Sequence, residues 1–462
     1  MMLASKQSHP LSPLMRKDIA DFLENQQPIL REGFERFGSP LHLLWPEALK
    51  DNLRSLRTVL NAQNVASKIY YGVKVNKSLG LMGAALGASG GLDVSSLYEL
   101  QDALHLGAEG RDIVATGPAK TPAFHQALLA CNALISIDSV EEFDDLLRQL
   151  PTEGGPHPVL LRLRPGNQGQ SRFGMGLDDA IHCLKRLVDM PALRFEGVHF
   201  HLGGYSVETR VEALQEAADL IAIARGLGLS PRLIDIGGGL PARYVDHAAY
   251  VAFQEAQTAE DYRTHRLPQS FYPYGGPIDA VEWLRRLLSA TMRDGRDVAS
   301  YFAGENLTLA MEPGRALADQ CAVTVLRITR VKALDARSAV IFVEGSSFSA
   351  CETWFASEFL VDPILLSNQP KALAAAPLRA YLAGHSCLDD DVISNRWLDF
   401  PSAPQAGDFL AYVNTGGYQM DLMENQFHRH PMPTRLCVRR TADGLSELIP
   451  DQCEETQCSI HL

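Results

Sequence analysis

Four groups of residues in this sequence could do chemistry together. Lys74 interrupts the apolar, strand-like run Ile69–Asn76, where propensity gives no reason for a lysine and burying an ammonium group is costly. His199 and His201 stand two apart in the run Arg194–Gly203. The run Arg232–Gly238 closes on three consecutive glycines, Gly237–Gly239. Glu312, Pro313, Gly314 and Arg315 close a further run that begins at Asn306.

Glycines directly after a buried strand let the backbone bring its N–H groups close to a phosphate, or simply make a tight turn. Arg315, after the next strand, adds a guanidinium for the same anion. A lysine beside a held phosphate points to pyridoxal 5′-phosphate (PLP), whose aldehyde forms a Schiff base with a neutral lysine amine. Glu312 against the pyridine nitrogen would keep that nitrogen protonated, so that the ring accepts an electron pair. One imidazole of the His199/His201 pair would stack on the ring, and His201 is nearer the C-terminal end of its strand. The rival for these two histidines is a shared metal ion. That reading wants further His, Asp or Cys ligands at other strand ends, which offer a lysine, a glycine run and EPGR instead, so no metal is expected.

Placing these residues at one site needs a scaffold that gathers strand ends. Eight strand-like runs are Ile69–Asn76, Gly91–Ser96, Ile113–Pro118, Leu134–Asp138, Pro158–Arg164, Arg194–Gly203, Arg232–Gly238 and Asn306–Gly314. Amphipathic helical segments lie between most of them. The alternation predicts a (β/α)8 TIM barrel over residues 46–316, whose active site lies at the C-terminal ends of the strands. The link Leu240–Glu305 is too long for one helix and predicts an insertion. Residues 317–450 are β-rich without intervening amphipathic helices and predict a second, all-β domain. Phe37–Leu44, within the N-terminal segment 1–45, is strand-like and is expected to join that domain. The polar stretch 451–462 reads as a loose tail.

Composition narrows the class. The chain has 462 residues, 46% apolar, with a formal net charge of −13 and no basic cluster, which argues against nucleic acid or anionic membrane as partner. Eight scattered cysteines without a CxxC pair, and no signal peptide or membrane span, predict a cytoplasmic protein.

These motifs, in this order, resemble the fold-type III PLP-dependent decarboxylases, the group containing diaminopimelate, ornithine and arginine decarboxylases. The resemblance is carried by GSPL (38–41), YYGVKVNK (70–77), GLDVSSLYEL (91–100), TGPAK (116–120), SRFGM (171–175), GVHFHLGG (197–204), LIDIGGGLP (233–241) and MEPGRALA (311–318). It continues through GHSCLDDD (384–391), GD (407–408) and GGY (416–418). It implies an alanine-racemase-like barrel with a β domain, in a head-to-tail homodimer with shared active sites. By position it implies that Lys74 carries PLP, His201 stacks on the ring and Glu312 pairs with the pyridine nitrogen. Gly237, Gly238, Gly239, Gly314, Arg315 and Tyr418 would hold the phosphate. Asp93 would sit by the lysine, ordered by Arg162. Cys387 of the second subunit would protonate Cα after CO2 leaves.

The departures bear on the substrate. Gly204 stands where the family usually has serine, with Ser206 as a candidate replacement. Leu388 stands where members acting on distal amines or a D-centre carry an acid. Asp389–Asp391 follow it, at least two of them reading as a solvated loop. The Arg-Pro…Tyr stretch of diaminopimelate decarboxylases is absent, and FVEGSSFSACETWF there offers Glu344 to a substrate amine. The expectation is a decarboxylase of an amino acid or amino-acid derivative, conjugated or carrier-linked among the options, other than diaminopimelate. A racemase on the same fold, which places an arginine at the pyridine nitrogen, is disfavoured by Glu312. A non-catalytic homologue is disfavoured by the intact Lys74, glycine run, Arg315 and Cys387.

Overall fold

In the computed structural model, which describes residues 10–350, 352–367, 376–422 and 426–451, eight parallel strands close into a barrel. They are Ser67–Gly72, Gly91–Val94, Ile113–Ala115, Leu134–Ile137, His157–Arg162, Leu193–His199, Leu233–Asp235 and Thr308–Met311. The last pairs with the first (Ser67↔Leu309 to Ile69↔Met311), which closes the ring. All eight expected strands are present, but most end earlier than the apolar runs do. Lys74 therefore lies on a 3-10 turn, Val73–Val75, just past the first strand rather than within it. The chain must leave the sheet there because the next residues turn into the helix Leu79–Gly87, capped by Ser78.

The barrel interior follows from the two-residue period of its strands. Tyr70, Val114, Leu134, Leu160, Leu233 and Ala310 come from six strands and pack together as an apolar plug. Such a filled interior is typical of eight-stranded barrels, so function can occur only above it, at one end.

Two compact units emerge: Leu49–Pro241 with Ile278–Leu317, and the residues up to Ala48 with Ala242–Pro277 and those from Ala318 onward. The barrel range 46–316 thus encloses a segment that belongs to the other unit. Tyr244 and Tyr274 from that segment stack at 4.9 Å, and Tyr274 meets Phe359 edge-on at 5.3 Å, within a core shared with Leu326, Ile341 and Leu382. Burial of these rings accounts for where the segment goes.

The second unit is built on a nine-stranded sheet. Its main order is Val392–Phe400, Leu378–Ala383, Ser338–Val343, Ala322–Ala333, Leu41–Leu44, Thr434–Arg440 and Ser446–Pro450. Ala322–Ala333 also pairs with Phe409–Val413, which pairs with Ile364–Leu366. Leu41–Leu44 lies antiparallel to residues 322–325 and parallel to 434–437. Sequence reasoning missed the strands Ile364–Leu366, Val392–Phe400 and Ser446–Pro450, and the helices Lys17–Asn25 and Gln27–Phe37. Val392–Phe400 carries Asn395 and Arg396 in its middle, which broke the apolar pattern. The expected tail beyond Asp451 lies outside the described residues. Among the described residues no helix is long and apolar enough to cross a membrane.

Candidate active site

Two residues beyond five of the six apolar plug positions stands a polar residue; the sixth, Tyr70, is followed by Gly72. Val114 is followed by Thr116, Leu134 by Ser136, Leu160 by Arg162, Leu233 by Asp235 and Ala310 by Glu312, and all five polar residues are buried. The period that fills the barrel also builds a polar layer over the filling.

Lys74 Nζ lies 2.9 Å from Asp93 Oδ2, with Asp93 fully buried and the lysine side chain 39% exposed. The other Asp93 oxygen accepts a hydrogen bond of 2.5 Å from the Thr116 hydroxyl. Arg162 does not order Asp93 directly, contrary to expectation. Its Nη1 pairs with Asp138 at 2.9 Å and donates to the Thr116 carbonyl at 3.1 Å, so it acts on Asp93 only through Thr116. The lysine is thus held against a fully buried carboxylate while its side chain stays partly exposed.

His199, Asp235 and Glu312 form the buried centre of the layer, with one ligand atom of each within 4.8 Å of the others. Burial first, then the charges of Asp93 and Asp235, pushes the Glu312 carboxyl well above the carboxylate range. Burial likewise raises Asp235 to about 7. Burial and the Arg162 guanidinium hold His199 neutral. Ser136 Oγ lies 2.7 Å from His199 Nδ1, and His199 Nε2 is 3.4 Å from Glu312 Oε1. His201 turns elsewhere: its Nδ1 accepts from the Gly238 N–H at 3.1 Å, which fixes the proton on Nε2. Burial, Lys74 and Arg162 pull His201 down to about 3, so it is a neutral ring at ordinary pH. The two histidines thus face different partners, not a common point.

The glycine loop has room for nothing larger. Gly237 and Gly239 adopt φ of 66° and 82°, and a Cβ on Gly238 would stand 2.7 Å from the Glu312 carbonyl oxygen. The Gly237 N–H donates to Asp235 at 2.9 Å. Gly314 and Arg315 follow the eighth strand directly, and Arg315 is buried. Ser206 caps the helix Val207–Gly226, accepting from the Thr209 N–H at 3.2 Å and donating to Glu208 at 2.8 Å. Its hydroxyl is committed, and it does not stand in for the missing serine at Gly204.

The sheet unit carries the other expected residues. Tyr418 follows Gly416 and Gly417 with φ of 80°, a conformation bulky residues rarely adopt outside functional sites. Cys387 is an exposed free thiol, and Leu388 and Asp389 are exposed beside it. Asp391 is a structural anchor: its carboxylate accepts from the Ser347 N–H and hydroxyl, both at 2.7 Å, and from the Ser386 N–H at 2.9 Å. Glu344 forms an ion pair with Arg327 at 3.3 Å. The buried acid of that stretch is Glu352, which accepts from the Tyr274 hydroxyl and the Gln419 amide, both at 2.5 Å.

Sequence reasoning missed Thr116, Ser136, Asp138, Asp235 and Arg210. The first, second and fourth were findable by counting two residues beyond each interior apolar position.

The profile of the family "Pyridoxal-dependent decarboxylase, pyridoxal binding domain" matches residues 48–267. The chain is 62% identical to the uncharacterized protein y4yA of Sinorhizobium fredii over 97% of this chain and 98% of that one. It is 25% identical to a diaminopimelate decarboxylase of Pseudomonas aeruginosa, covering 85% and 86% of the two chains. The structure of Helicobacter pylori diaminopimelate decarboxylase complexed with L-lysine shares the fold, with a TM-score of 0.71 at 18% identity over 91% of this chain and 96% of that one. The residues present fit PLP. Glu312 Oε1 is buried without a hydrogen-bond partner, as suits an atom that would face a ring nitrogen. With motif order, family profile and barrel in agreement, the chain belongs to the fold-type III PLP-dependent decarboxylases.

Proposed function

We propose that this enzyme removes the α-carboxylate of an amino acid whose side chain is neutral or conjugated, free or carrier-linked, in the cytoplasm. The observation that carries the assignment of the site is Lys74 on Asp93 at the strand ends that also present the buried Glu312, whose carboxyl burial pushes well above its ordinary range. PLP, when bound, supplies an aldehyde for the lysine and a ring that takes up the electron pair left by departing CO2. The chain's own residues do the rest. Asp93 takes up the Lys74 proton or returns it, so the amine can become neutral. Glu312, whose carboxyl burial pushes upward, can share a proton with the ring nitrogen, and His199 lies 3.4 Å from its Oε1. His201 presents a neutral ring face. The Gly237–Gly239 loop, whose first two N–H groups are given to Asp235 and His201, would admit the phosphate by its lack of side chains, and Gly314, Arg315 and Tyr418 are its proposed ligands. The Cys387 thiol gives its proton to Cα, and the thiolate is reprotonated by solvent.

Exposure of Cys387 and Leu388 on the single chain supports a homodimer in which each thiol serves the other subunit's lysine. Mixing inactive Lys74→Ala and Cys387→Ala proteins is then expected to restore activity in heterodimers. Absence of rescue, with subunit exchange confirmed, would rule out a shared site.

Substrate choice rests on Leu388 and Asp389, with Glu344 tied to Arg327. Without an acid directly after the cysteine, a buried distal ammonium would lack a partner, at a cost of about 2–5 kcal/mol or some tens- to thousands-fold in selectivity. Lysine, ornithine and meso-diaminopimelate are expected to be poor substrates. A CO2-release screen comparing kcat/KM for these three with neutral and conjugated amino acids tests the assignment, and efficient turnover of any of the three overturns it.

A further inference from the structure

We propose that Arg210 anchors the cofactor phosphate from behind the glycine loop, supplying the binding lost where the family's serine has become Gly204. The inference rests on the PLP reading above and adds a residue to it.

Arg210 sits in the first turn of the helix Val207–Gly226 and is 1% exposed. Buried guanidinium groups are normally matched by carboxylates, because an uncompensated buried charge costs several kcal/mol. Two other buried arginines obey this: Arg162 pairs with Asp138, and Arg396 with Asp362. Among the described residues no carboxylate pairs with Arg210. Its Nη1 donates to the Ile236 carbonyl at 2.8 Å, its guanidinium stands 5.6 Å from the Trp283 ring centroid, and its Nε has no partner. Burial pulls its pKa down to about 10, as expected for a cation still short of an anion.

What lies next to this cation is the glycine loop. Nη2 would be 2.5 Å from a Cβ on Gly239, so a side chain there would collide with the guanidinium. The loop also has fewer donors to offer than three glycines suggest, since the N–H groups of Gly237 and Gly238 are given to Asp235 and His201. Ser206 is spent on the helix cap. A phosphate dianion bound at this loop therefore meets positive charge from Arg315 and, through the loop, from Arg210.

The test uses the full-length holoenzyme and compares wild type with Arg210→Met and Arg210→Lys. Cofactor is removed by dialysis, and PLP or pyridoxal, which lacks the phosphate, is titrated back by its visible absorbance. Arg210→Met is expected to weaken PLP about 10- to 100-fold, the worth of one charge-assisted contact, and pyridoxal by no more than about threefold. Arg210→Lys, which keeps the charge, should fall between wild type and Arg210→Met. Parallel weakening of PLP and pyridoxal would mean that Arg210 only braces the loop, and unchanged PLP affinity would remove it from the site; either result overturns the proposal. Should Arg210→Met fail to fold, the same comparison is made on Arg210→Lys, where a loss confined to PLP supports the anchor and parity overturns it. Wild type that binds neither compound would instead overturn the cofactor reading.

Discussion

Replacement of Lys74 by alanine is expected to lower decarboxylation by at least about a thousandfold, because the group that forms the covalent link to the cofactor is lost outright. Borohydride should fix cofactor to wild type at Lys74 and leave the variant unlabelled. The protein should stay folded. Lys74 lies on a short turn with its side chain partly exposed, and Asp93 keeps its hydrogen bond from Thr116 when the ammonium is gone. The measurement is single-turnover CO2 release beside a thermal unfolding curve. Residual activity near wild type in a folded variant would show that another group carries the cofactor.

The second large effect concerns a lysine without chemistry. Lys120, in the TGPAK segment, is fully buried at its side chain and donates to the Gly117 carbonyl at 2.7 Å, the Ser136 carbonyl at 2.6 Å and Glu142 at 2.7 Å. Glu142 also faces His125 at 3.2 Å and accepts from the Asp138 N–H at 2.8 Å. Burial alone would raise the Glu142 carboxyl, yet Lys120 and His125 hold it below its ordinary value. Lys120→Met strips a buried carboxylate of its cation and takes one donor from each of two carbonyls, at an expected cost of about 3–5 kcal/mol. Denaturant unfolding of the variant measures this. Lys120→Met/Glu142→Leu should recover part of the loss, because the uncompensated charge is then gone. A loss under about 1 kcal/mol for the single variant would show that solvent reaches Glu142.

Much of the architecture was legible because it rests on periodicity. All eight barrel strands and most of the helices between them were readable from the apolar periodicity, and Lys74, His201, Gly237–Gly239 and Glu312 stood out as residues no strand needs. What escaped had other causes. Arg162 was assigned to Asp93 because both were expected at one site, whereas the choice between Asp93 and Asp138 depends on three-dimensional distance. Arg210 is hidden in an ordinary helix start, where an arginine reads as solvated. Residues 242–277 carry no strand pattern, and it is contacts visible only in three dimensions, such as Tyr274 against Phe359 and the bridge between Tyr262 and Arg396, that place them with the sheet. Glu344 looked available in sequence, but Arg327 claims it from a neighbouring strand.

The strand Leu41–Leu44 has a consequence for how the protein is made. Its four residues, Leu-His-Leu-Leu, are all buried, and their partners are residues 322–325 and 434–437. A ribosome adding about 5–20 residues per second exposes this strand for roughly 15–60 s before the first partner emerges, and somewhat longer before the second. During that wait every barrel strand is synthesised, so one unit can close while a hydrophobic, unpaired strand from the other remains in water. The sheet unit therefore cannot complete its pairing around Leu41–Leu44 until the last part of the chain has been made.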